Sequence, residues 1–192
     1  MNVSTQVRRP RTVRLAAVLL SLAAVSACGG QPAADAVGAV GAAAPTTRFS
    51  ENGVTVTLSV SDWKASEGTL TAVFAPEKKG FHLYSTELPA TGIEGVGRPT
   101  AVAVTGALRA KGGLKATAEV RSISVPGVDA QVPVYPDGPV TTTLPVRADG
   151  NGDATVLVGY ASCSTRDGCT IPVSDRPVRL RITGDGPTFE AP

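Results

Sequence analysis

The chain has 192 residues, with 18 Lys and Arg against 16 Asp and Glu, one His, one Met and three Cys. Residues 1–27 hold four of the Arg and no acid, so residues 28–192 carry 14 bases against 16 acids and offer no basic surface for a nucleic acid. A single His and a single Met argue against a copper or zinc carrier, because those metals take several imidazole or soft sulfur ligands, and no metal or other cofactor is expected.

Arg8, Arg9, Arg11 and Arg14 precede an apolar run from Leu15 to Val25, which leads into Ser26-Ala27-Cys28. A basic head, a short apolar core and small residues at the end describe a secretory signal peptide over residues 1–27. Small residues followed by Cys resemble a bacterial lipobox. That resemblance implies cleavage before Cys28, a diacylglyceryl thioether on its sulfur, and anchoring to the lipid bilayer on the extracytoplasmic side. Residues 28–45 are mostly Gly, Ala, Pro and Val, with Asp35 the only acid, and bury too little to fold. They form a flexible tether with a root-mean-square reach of roughly 20–25 Å.

The domain is expected over residues 46–187, with a tail at 188–192. Aromatics make up only 4% of the chain, while 21 Gly and 15 Pro supply many turns. Val54-Thr55-Val56-Thr57-Leu58-Ser59-Val60 alternates apolar and polar residues, the period of a strand with one buried face. Further strands are predicted at 70–74, 81–84, 100–104, 118–124, 140–146, 154–160 and 178–182. Pro126, Pro133, Pro136 and Pro139 bracket an irregular segment. No apolar stripe of helical period and length occurs. The expectation is an all-β, immunoglobulin-like two-sheet sandwich of seven to eight main strands.

Cys163 and Cys169 flank Ser164-Thr165-Arg166-Asp167-Gly168, which is turn chemistry, so two short strands would set the thiols side by side. In an exported protein such a pair is either a structural bridge or a redox switch. Closing so short a loop contributes roughly 2–2.5 kcal/mol in the chain-entropy model, so energetics alone do not reject a staple. A local hairpin bridge, however, constrains only its own turn, and the domain is long enough to fold without it. His82, the one histidine, has no nucleophile motif around it and is expected to be a strand residue satisfied by a neighbour.

Gly80-Phe81-His82-Leu83-Tyr84, Gly97-Arg98-Pro99-Thr100, and Tyr160-Ala161-Ser162-Cys163 with Cys169 and Pro172 resemble the N-terminal periplasmic domain of the thiol:disulfide interchange protein DsbD. The resemblance runs over most of residues 46–183. It implies an immunoglobulin-like domain whose cysteine pair takes reducing equivalents from a membrane thiol reductase or thioredoxin-like donor. The domain would pass them to oxidised extracytoplasmic thiol proteins. Carried over by position, Cys169 forms the mixed disulfide and Cys163 resolves it. Tyr84 would pack against the pair, and Asp129 stands at about the place of a family acid.

Arg166 inside the turn would favour a thiolate, with Asp167 opposing it. A shielding loop would fall within residues 125–138, where Val128, Ala130 and Gln131 replace the aromatic tip of the family unless Tyr135 substitutes. In the family's best-known member the domain is fused to a membrane carrier, and lipid on Cys28 would replace that fusion. The rival expectation is a non-enzymatic binding lipoprotein with a permanent disulfide.

Overall fold

The structure, a computed structural model, describes residues 44–191. The signal segment, Cys28 and the tether as far as residue 43 lie outside the described residues. The described residues form fifteen strands. In chain order they are β1 (Thr46–Glu51), β2 (Val54–Lys64), β3 (Glu67–Pro76), β4 (His82–Leu83), β5 (Ala101–Gly106), β6 (Leu108–Ala110), β7 (Lys115–Ala116) and β8 (Arg121–Ile123). The rest are β9 (Val132–Val134), β10 (Val140–Ala148), β11 (Gly152–Tyr160), β12 (Ser162–Ser164), β13 (Gly168–Cys169), β14 (Val173–Thr183) and β15 (Gly186–Phe189). No helix occurs among the described residues.

Two antiparallel sheets make the immunoglobulin-like sandwich. The first runs β1-β2-β3-β10-β6, with β7 pairing a second stretch of β10, and the second runs β15-β14-β11-β5. Alternation decides which face each strand buries. Val54, Val56, Leu58 and Val60 of β2, Leu70, Ala72 and Phe74 of β3, and Leu144 and Val146 of β10 share one core with Ala154, Val156 and Val158 of β11 and Leu180 and Ile182 of β14. Each large aliphatic or aromatic side chain among them contributes about 1.5–3 kcal/mol when fully buried. Phe74 meets Tyr160 edge to face across this core, with ring centroids 5.7 Å apart.

Each of the eight expected strands is present in some form: several are longer than their apolar runs, but 81–84 shrinks to β4 and 118–124 to β8, and both of these lie in small sheets apart from the two main ones. The structure adds others. β1 and β2 are joined by Asn52-Gly53, both at positive φ, a two-residue hairpin turn whose right-handed twist fits the strands it links. Within the segment expected to be irregular, β9 pairs with β8 despite Pro133. At the far end, β15 extends the second sheet to Phe189, two residues past the expected domain edge.

Two smaller sheets carry the functional interest. The chain leaves β11 at Tyr160, makes an excursion over residues 161–172, and rejoins the same sheet at Val173, which pairs with Tyr160. In that excursion β12 pairs on one side with β13 and on the other with β4. The β8-β9 pair abuts it through a bridge from Val134 to Tyr84.

Candidate functional site

The turn between β12 and β13 is built by Ser164. Its Oγ accepts the N–H groups of Arg166 (3.2 Å) and Asp167 (3.3 Å) and lies 3.2 Å from Asp167 Oδ2, to which it donates. Gly168 closes the turn at φ 79°, a conformation that suits a residue without Cβ. Cys163 and Cys169 therefore face one another in register, with Cα atoms 4.0 Å apart, and are joined as a disulfide. Thr170 fastens the outer strand by donating its N–H to Ser162 O (2.8 Å) and accepting the Ser162 N–H at Oγ1 (3.3 Å).

The two cysteines differ in exposure. Cys163 is 5% exposed, whereas Cys169 is exposed on an edge strand. Cys163 belongs to a second apolar cluster with Tyr84, Leu88, Val132, Val134 and Ala161, against which Ile123, Val125 and Val128 pack. Cys169 instead borders an open groove with Phe81, Lys78, Gly53 and Ile171, and the Ile171 side chain is 73% exposed.

Tyr84 lies over the pair. Its Oη is 3.0 Å from Cys163 Sγ and 3.9 Å from Cys169 Sγ, and a disulfide sulfur can only accept, so the phenol donates. Burial pushes the Tyr84 phenol above its ordinary pKa, which keeps that proton in place. The residues of the Gly97–Thr100 segment hold it there. Thr100 Oγ1 donates to Tyr84 O (2.7 Å), and a Cβ at Gly97 would lie 2.7 Å from the Tyr84 ring. Glycine is thus required at 97 both for its φ of 88° and for room beside the ring.

Of the other expected site residues, Arg166 is exposed and lines a cleft with Lys78, Lys79 and Asp137. Asp129 is exposed on the 125–131 loop, where its N–H donates to Glu94 Oε1 (3.2 Å). Tyr135 is fully buried and belongs to the sandwich core. Its Oη accepts the Thr86 N–H (3.0 Å) and hydrogen-bonds Thr86 Oγ1 (2.9 Å), so it does not serve as an aromatic loop tip. Aliphatic Val125 and Val128 fill that side instead.

Sequence reasoning gives His82 no part in the site, yet the structure brings it there. It is buried on β4 directly opposite Cys163, with its ring edge-on to Tyr84 at 6.1 Å between centroids. Only the strand register reveals this pairing. Among the described residues no group of three or more His, Cys, Asp or Glu side chains is placed to hold a metal ion.

The fold and site together define an all-β sandwich bearing a hairpin disulfide between one exposed and one buried cysteine. No family model matches the chain, and no curated protein matches it. A solved structure that is similar is the Neisseria meningitidis DsbD N-terminal domain in the reduced form. The match covers 76% of this chain and 88% of that one at 14% sequence identity, with a TM-score of 0.40.

Proposed function

We propose that this domain carries out extracytoplasmic thiol–disulfide exchange through Cys163 and Cys169. The observation that carries the reading is the unequal exposure of the two cysteines. A donor thiolate reaches Cys169 Sγ, the intramolecular S–S bond breaks, and the electron pair goes to Cys163 Sγ under the Tyr84 hydroxyl. The donor's second thiol then releases Cys169, leaving the domain reduced. In the forward half-cycle the Cys169 thiolate attacks a client disulfide and expels one client thiolate. Cys163 resolves the mixed disulfide, so the client leaves with two more electrons and the domain is oxidised again. The donor is a membrane thiol reductase or thioredoxin-like protein. Clients are oxidised extracytoplasmic proteins, and an acylated Cys28 holds the domain near its donor and raises the effective concentration.

The test is trapping. Cys163→Ser should accumulate a mixed disulfide through Cys169, and the Cys163–Cys169 couple should have a reduction potential clearly above about −300 mV. A potential below that value, with no trapped partner, would leave a stapled binding domain as the better description.

A further inference from the structure

Exchange at this site makes a demand that Tyr84 and the two cysteines do not meet. Cys163 is buried, yet its sulfur must gain a proton when the domain rests reduced and lose it before attacking Cys169. Tyr84 cannot take that proton, because its own is held by burial.

The small sheet supplies another group. Residues directly opposite across an antiparallel pair project from the same face, with Cβ atoms about 4.5–5.5 Å apart. Cys169, Cys163 and His82 therefore form one row across β13, β12 and β4. His82 is buried, and its Nδ1 lies 3.7 Å from Asp137 Oδ1, whose side chain is 63% exposed. Nε2 is buried with no hydrogen-bond partner. An orphaned ring nitrogen is costly unless something visits it. With Nδ1–H turned to a carboxylate, Nε2 keeps a free lone pair.

We propose that His82 is the general base for Cys163 in the resolving step, with Asp137 as its positioning residue; this rests on the exchange reading. Cys163 S–H gives its proton to Nε2. The thiolate then attacks Cys169 Sγ in the mixed disulfide, the Cys163–Cys169 bond forms, and the bond to the client breaks with its electron pair on the client sulfur. The imidazolium returns its proton to solvent past Asp137, or to Cys163 when the cycle runs in the reducing direction. Burial keeps His82 neutral at rest, opposed by Asp137. Arg121, Tyr135 and Thr165 line the same cleft, Tyr84 lies edge-on to the ring, Cys163 stands opposite His82 on β12, and Lys78, Lys79 and Arg166 share the cleft on the other side of Asp137.

The reduced full chain treated with dithiobis(nitrobenzoate) separates the two steps. Exposed Cys169 takes up one nitrothiophenyl group, and Cys163 then expels it as coloured thiolate. In His82→Gln the second release at pH 7 should slow by about a hundredfold, and its pH inflection should move up to the ordinary thiol range near 8.5. The first step should be unchanged. Asp137→Asn, on an exposed side chain, should slow the second release by a smaller factor and shift its inflection. An unchanged second release in His82→Gln, or equal slowing of both steps, overturns the assignment. If His82→Gln does not fold, Asp137→Asn decides alone, and an unaltered profile overturns it. Failure of wild type to release the second group would instead sink the exchange reading itself.

Discussion

Replacing Tyr84 by Phe removes a single oxygen and keeps the ring that Gly97 accommodates. What disappears is the donor 3.0 Å from Cys163 Sγ. A hydrogen bond to a charged group contributes about 1.5–3 kcal/mol. At 1.36 kcal/mol per pKa unit, the Cys163 thiol should rise by about one to two units. Cys169, 3.9 Å from the same oxygen, should rise less. The phenol also donates to the disulfide, but more strongly to an ionised thiolate, so its loss weakens the reduced form more and the couple becomes less oxidising. At about 30 mV per 1.4 kcal/mol the potential should fall by about 30–60 mV once the pH exceeds the thiol pKa, and by less at neutral pH. Equilibration in glutathione buffers followed by alkylation and mass analysis gives the potential, and alkylation rates against pH give each thiol pKa. An unshifted Cys163 pKa with an unchanged potential would refute the role given to the Tyr84 hydroxyl. A larger shift at Cys169 than at Cys163 would refute the geometry.

Reduction of the disulfide should leave the domain folded, because the sandwich core lies outside the hairpin. The loss is at most roughly 2–2.5 kcal/mol, or a fall in Tm of about 5–10 °C, and unfolding on reduction would overturn this. Stability should also fall at both ends of the pH scale. Burial lowers the His82 pKa, with Asp137 opposing the shift, so protonation favours the unfolded chain. The stabilisation is whole above pH 6.5 and is lost as the pH drops through 6.5 towards the folded value. Tyr160 is pushed up to about 12 by burial, with Glu51 adding to the effect, so stability is lost as the pH rises from 10 towards 12. Urea midpoints measured across the range should show both slopes, and the His82 component should vanish in His82→Gln.

The sandwich is legible in the sequence because its long strands alternate, and alternation is the signature of a half-buried pleat. β10 and β11 bury the residues that their period names. Less legible are elements whose pattern is broken by backbone chemistry. Alternation predicts β14 only from Val178, since Pro177 interrupts the run. There β14 has β11 on one side and is not paired by β15, which begins opposite Thr183 and ends opposite Leu180. A proline, lacking an N–H, is tolerated at such an open edge. β1 has too short an apolar pattern to stand out, although Asn52-Gly53 signals a tight hairpin. In the site, the Cys163–Cys169 pair and its turn are visible from spacing and turn residues. His82 is not, because a lone histidine gains meaning only from the strand lying across from it. The exposed position of Asp129 depends on the path of the 125–131 loop, which no periodicity encodes.

The excursion between Tyr160 and Val173 starts and finishes at neighbouring rungs of one ladder. Whatever the sulfurs do, the two points at which this loop is rooted stay fixed by the surrounding sheet. The arrangement is that of a tool bit in a chuck. Insertions, deletions or a new recognition surface grafted between those rungs would change what surrounds the disulfide, while the holder that grips the bit remains as it was.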